Sequence, residues 1–120
     1  MSGLTGSFGE AAAAEYLRKK GYEIVGMNYR TRMGELDVIA RNRKYLCFVE
    51  VKLRKNDSFG AAAEYVTKSK QRKLILAAES YLLQHPEHRQ PRFDVVEIYA
   101  PDGIRGELSI RYIEDAFRPE

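Results

Sequence analysis

At 120 residues the chain is one domain, large enough to bury a core and too short for a second one. Its 44% hydrophobic and 31% charged residues are the balance of a soluble globular protein. No apolar run is long enough for a membrane span or a signal peptide, so neither is expected and a cytoplasmic location is. The single cysteine, Cys47, excludes an internal disulfide and a cysteine metal cluster, and its apolar neighbours make it a small buried hydrophobe.

The net charge of +3 is unevenly spread. Residues 1–73 carry 15 Lys and Arg against 8 Asp and Glu, while residues 74–120 carry 5 against 9. A basic N-terminal part suits a polyanionic partner, although a modest excess also occurs on ordinary solvated surfaces.

In chain order, Ser7 to Lys20 reads as a helix stopped by Gly21, with Arg18, Lys19 and Lys20 suited to its last turn. Glu10, Ala13, Ala14 and Leu17 share its inward stripe. Glu10 then serves either a capping box with Ser7 or a functional site; both uses put a carboxylate in the first turns. Tyr22 to Arg30 reads as a strand, with Gly26 breaking the alternation as a bulge would.

From Gly34 to Lys52 the sequence GELDVIARNRKYLCFVEVK reads as a hairpin, two apolar runs around the polar break at Asn42, Arg43 and Lys44. Alternation puts Glu35, Asp37 and Ile39 on one face of the first run, and Leu46, Phe48, Glu50 and Lys52 on one face of the second. With Arg43 and Lys44 as the turn, Asp37 faces Glu50. Carboxylates so placed have Cβ atoms roughly 4.5 to 5.5 Å apart and repel unless a cation or a shared proton lies between them. A divalent metal held by oxygen ligands, with Lys52 beside it, makes such a cluster tolerable. A structural ion pair between Lys52 and the two acids is the competing explanation.

Lys52 to Gly60 is polar and basic, and Ala61 to Val66 fits a helical turn or a loop. Thr67 caps a second helix running to about Gln84, with Leu74, Ala78, Tyr81 and Leu82 on its core stripe and Lys70 and Gln71 straddling the stripe's N-terminal extension. The basic first turn of this helix suits phosphate. Phe93 to Tyr99 reads as a strand, and the helical crossover makes it parallel to a neighbour. After a turn at Pro101-Asp102-Gly103, Glu107 to Ile113 forms a last short strand, and the acidic end reads as a helical turn. His85 and His88 have no third zinc ligand nearby. No triad with a glycine-flanked serine and no nucleotide-binding phosphate loop occurs.

The order helix, strand, strand, strand, helix, strand, with Glu10, Asp37 and Glu50-Val51-Lys52 on successive elements, is similar to the PD-(D/E)XK nuclease superfamily. The resemblance is closest to the YraN-like family of bacterial proteins. It is carried by T-G-S-F-G-E at Thr5 to Glu10, G-E-L-D-V-I-A at Gly34 to Ala40, F-V-E-V-K at Phe48 to Lys52 and R-F-D-V-V at Arg92 to Val96. It spans nearly the whole chain and implies an α/β, restriction-endonuclease-like core, a central mixed sheet flanked by helices. Archaeal-type Holliday junction resolvases share this layout. The resemblance implies metal ligation by Asp37 and Glu50 with help from Glu10, and a Lys52 that positions the attacking water or stabilises the phosphorane charge. Leu36 stands where the motif has proline.

The chemistry asks for the same residue types. Mg²⁺ takes about six oxygens, keeps several waters and needs only one or two carboxylates, which Asp37 and Glu50 meet, with the Val51 carbonyl as a further ligand. The expected function is therefore Mg²⁺- or Mn²⁺-dependent endonucleolytic cleavage of structured or branched DNA such as a Holliday junction. Arg30, Arg32, Arg54, Lys55, Lys70 and Gln71 are the expected nucleic-acid contacts, and a homodimer would suit cutting of two strands. The alternatives are a nucleic-acid-binding module of the same fold that does not cleave, and a protein-interaction domain.

Overall fold

The computed structural model describes residues 4–54, 66–103 and 105–120. Its elements are α1 (Leu4–Lys19), β1 (Glu23–Arg30), β2 (Glu35–Arg41), β3 (Tyr45–Arg54), α2 (Lys68–Gln84), β4 (Gln90–Tyr99) and β5 (Ser109–Phe117). The strands form one mixed sheet in sequence order, with β3 and β4 parallel and the other neighbours antiparallel. The parallel pair is the one joined through a helix, as the need for a long crossover requires.

Each face of the sheet carries its own apolar cluster. Ala13 and Leu17 of α1 pack with Val38, Ala40, Cys47, Val49, Val96 and Ile98 on one side. Leu74, Ala77 and Ala78 of α2 pack with Ile39, Leu46, Phe48, Phe93 and Val95 on the other. Strand alternation therefore sorts Glu50 and Lys52 to the α2 face with Phe48, and Val51 to the α1 face with Val49.

The local signals act where the sequence puts them. Gly21, at φ +94°, stops α1 in the left-handed region that glycine enters without steric cost. The β1–β2 pairing slips between Ile24 and Gly26, where a Cβ on Gly26 would meet Ile39 Cδ1 at 3.3 Å. In the β2–β3 turn, Asn42 Oδ1 accepts the Lys44 and Tyr45 N–H groups at 2.9 and 2.8 Å, an Asx turn that fixes the register. Thr67 accepts the Lys70 N–H at 3.1 Å as the N-cap of α2.

Several boundaries differ from expectation: β4 begins at Gln90 rather than Phe93, and β5 spans Ser109–Phe117 rather than Glu107–Ile113. α1 begins at Leu4, so Ser7 lies inside the helix and the capping box with Glu10 has no helix end to cap. The acidic C-terminal stretch is strand, not a helical turn, because β5 continues to Phe117. Two long-range contacts hold it there: the Asp115 N–H donates to Asp94 Oδ1 at 2.8 Å, and Phe117 stacks on Phe93 with ring centroids 5.0 Å apart. The ion pair at Asp94 also ties the start of β4 to β1. Arg92 donates to the fully buried Asp94 at 2.9 Å and to the Tyr22 hydroxyl at 2.7 Å, and lies 4.5 Å from the centre of the Tyr45 ring. The Tyr112 hydroxyl is a further donor to Asp94, and burial holds its ionisation well above the ordinary tyrosine value.

Removing one member of a buried, fully hydrogen-bonded pair strands the other, which typically costs about 3 to 5 kcal/mol. Asp94→Ala is thus expected to lower unfolding free energy by that order in urea titrations followed by circular dichroism. A loss below about 1 kcal/mol, the size of an exposed ion pair, would show that this cluster does not anchor β5.

Candidate functional site

The cleft that collects the predicted acids has a volume of about 390 Å³ and is lined by Glu10, Glu35, Asp37, Glu50, Lys52 and Lys70 among others. A larger hollow of about 590 Å³ lies by Tyr45, Arg92 and Phe117, but its charged floor is already engaged by Asp94.

Asp37 and Glu50 meet because of the β2–β3 register. The ladder pairs Val38 with Val49, Ile39 with Phe48, Ala40 with Cys47 and Arg41 with Leu46. One step beyond its last rung, Asp37 Oδ2 accepts the Val51 N–H at 2.9 Å, so a side chain takes up the next strand donor. Glu50, across from Asp37, is only 6% exposed. Its Oε2 lies 3.6 Å from Lys52 Nζ and 3.8 Å from Lys70 Nζ, while Oε1 is buried with no hydrogen-bond partner among the described residues. Burial first, and the Asp37 charge second, push the Glu50 carboxyl up to about 7. Asp37 is raised as well, again mainly by burial. A shared proton accordingly relieves their repulsion when no cation lies between them.

Glu10 enters from α1, half-buried, and its carboxyl is raised by burial and then by the Asp37 charge. The Asn28 side chain beside it acts the other way, lowering the carboxyl's pKa, and the sequence reading did not single it out. Asn28 sits between the pairs Met27–Val38 and Tyr29–Leu36, hence across from Asp37, and has φ +54°. The available signal was an asparagine in an otherwise alternating strand, the non-glycine residue type that best tolerates that conformation. Glu35 is a second addition to the cleft, paired with Arg30 at 3.3 Å.

The basic residues divide. Arg32 is exposed near the β1–β2 turn, Arg54 is half-buried on the cleft wall, and Lys70 reaches Glu50 from α2. Gln71 donates to the Val66 carbonyl at 3.0 Å and so reinforces the start of α2. Lys55 and Ala61 to Tyr65 lie outside the described residues.

Among the described residues, no three His, Cys, Asp or Glu side chains are grouped as a metal cage. The donor set is instead two carboxylates, one with an orphaned buried oxygen, beside a strand carbonyl. That fits a hard cation that keeps several of its waters, and it does not fit a dedicated all-protein cage.

Residues 9–98 match the family described as Uncharacterised protein family UPF0102. The chain belongs to this family. UPF0102 is the YraN-like group of PD-(D/E)XK proteins. A UPF0102 protein of Symbiobacterium thermophilum is 45% identical over 118 residues, covering 98% of both chains. One of Chlorobium limicola is 47% identical over 121 residues, covering 96% of this chain and 92% of the relative, and one of Clostridium botulinum is 36% identical over 115, covering 94% and 93%. The stretch matched to UPF0102 contains Glu10, Asp37, Glu50, Lys52 and Lys70 and ends before β5. No helix among the described residues is long and apolar enough to cross a membrane.

Because the Glu50 carboxyl is raised in the folded state, metal-free protein loses stability as pH climbs from its ordinary value of 4.5 through about 7. Below that window both states are protonated and the penalty vanishes. Glu50→Gln, melted in chelator, is expected to gain on the order of 1 to 3 kcal/mol over the parent at pH 8 and much less at pH 4.5. An equal difference at both pH values would contradict the burial cost assigned to Glu50.

Proposed function

We propose that this UPF0102 protein is a Mg²⁺- or Mn²⁺-dependent endonuclease that hydrolyses phosphodiester bonds in structured or branched DNA. The observation that carries the reading is the pairing of Asp37 and Glu50 on adjacent strands, with the Glu50 Oε1 atom buried and without a hydrogen bond among the described residues, and two ammonium groups within 4 Å of Oε2. A structural ion pair needs one cation and leaves no buried acceptor open. Two acids that share a cleft with two lysines and a third acid suit a site for a cation and a phosphate.

Asp37, Glu50 and the Val51 carbonyl are the oxygens that would hold the ion. A bound Mg²⁺ supplies Lewis acidity, lowering the pKa of water and offsetting charge on the phosphate. Lys52, 30% exposed, can place its ammonium against a phosphate oxygen and stabilise the charge that develops there. Glu10, raised by burial, can orient or accept a proton from the attacking water. Lys70 in the cleft, and Arg30 and Arg32 at the β1–β2 turn, are the basic flank that would position the backbone without reading bases. The competing reading, a binding module without cleavage, draws on the same lysines, which already neutralise Glu50 without a metal.

Asp37→Asn keeps the volume and a hydrogen-bonding side chain but removes a ligand charge. On four-way junctions and linear duplex in Mg²⁺, cleavage is expected to fall by at least about a hundredfold, while gel shifts show unchanged or tighter binding. Cleavage at the parent rate would refute the mechanism, and binding by the parent without cleavage in any divalent metal would establish the binding module.

If the basic flank positions phosphates, affinity should fall steeply with salt, log K declining by about 0.9 per phosphate neutralised on duplex. Fluorescence anisotropy at several salt concentrations measures this slope. A flat profile, or strong preference for one sequence, would contradict a backbone-directed surface.

A further inference from the structure

One buried acid is used neither by the cleft described above nor by the Arg92–Asp94 cluster. Glu97 is fully buried in β4, and neither of its carboxylate oxygens accepts a hydrogen bond among the described residues. Leaving such a group unpaired in the interior costs several kcal/mol, so a nearby cation must offset much of that cost. The parallel ladder sets Glu97 beside Lys52, and the antiparallel ladder on its other side sets it beside Arg111. Residues in register point to the same face, and Phe48 with Phe93 confirms which, since both belong to the α2-side cluster. Arg111 Nη1 lies 3.9 Å from Glu97 Oε1, a charge contact outside hydrogen-bond reach. Lys52 Nζ lies 3.6 Å from Glu50 Oε2, also longer than a hydrogen bond.

Lys52 thus stands between two buried carboxylates, Glu50 two residues back on its own strand and Glu97 on the adjacent one. Adjacent strands are about 4.8 Å apart, within the swing of a flexible four-carbon stem. We infer that Glu97 is a positioning residue for Lys52, the second acceptor of its ammonium, to which the side chain turns when Glu50 gives its oxygens to a cation. Resting on the nuclease reading, this explains how the site keeps its lysine in place after the lysine's partner is taken. With Glu50 engaged, an ammonium without another acceptor would either compete with the cation or drift into solvent. Glu97 removes both outcomes and leaves the ammonium at the cleft wall.

The test is a double-mutant cycle on Glu97→Gln and Lys52→Met, with Lys52→Gln run beside it as the polar replacement. Thermal melts of the full chain in chelator read the pairing without any metal. Lys52→Met should lower Tm by about 3 to 6 °C in the parent and by clearly less in the Glu97→Gln background, since one of the two acids whose charge it helps to offset is gone. Additive shifts would overturn the pairing. Mn²⁺ calorimetry reads the exchange. Glu97→Gln should weaken Mn²⁺ binding about tenfold, as loss of a group supporting a ligand shell does, and adding Lys52→Met should restore it by removing the competing ammonium. A loss that persists in the double variant would overturn the exchange role. Absence of Mn²⁺ uptake by the parent would refute the nuclease reading and that role with it, and the metal-free melts still decide whether Glu97 and Lys52 are coupled.

Discussion

Two carboxylates held side by side by a strand register are the constraint around which this molecule is arranged. Asp37 cannot move away from Glu50, because its own oxygen is engaged by the Val51 N–H and four rungs of antiparallel ladder fix the strands behind it. Like charges so confined are stable only if burial is relieved by protons, by lysines or by a bound cation. The protein uses the first two: burial raises both carboxyls toward their protonated forms, and Lys52 and Lys70 approach Glu50.

The remaining elements serve this confinement from both faces of the sheet. On one face α1 carries Glu10 to the cleft it shares with Asp37. On the other, α2 begins at its Thr67 cap just before Lys70, so the helix start delivers an ammonium to Glu50. At the far end of β4, Arg92 and Asp94 bind β1 and β5 to the sheet. The two ends differ in character. The Arg92–Asp94 cluster is closed, with each charge met by several partners, whereas the cleft leaves Glu50 Oε1 without one among the described residues. An unsatisfied buried acceptor in a cleft is a feature that stability alone would select against.

Much of this was legible in the sequence because it rests on local chemistry. Asn42-Arg43-Lys44 defines a turn, the turn defines the register, and the register brings Asp37 to Glu50. Gly26 announced the bulge and Thr67 the cap, each by a side chain or a missing Cβ acting within a few residues. What was not legible depends on distant partners. The end of β5 reads as acidic and helical until Asp94, on the preceding strand β4, is seen to take the Asp115 N–H. Asn28 matters through a carboxylate on another element. Glu97 was visible as a charge inside the apolar run of β4, but its relation to Lys52 exists only once the parallel ladder is formed. α1 extends past Ser7 with no residue pattern that marked its start.

The most direct measurement is anomalous diffraction from crystals soaked in Mn²⁺. A peak between the Asp37 and Glu50 carboxylates, absent from crystals of Asp37→Asn, is the result this account predicts. Crystals that bind Mn²⁺ only at surface positions elsewhere, with Lys52 and Lys70 still against Glu50, would contradict it.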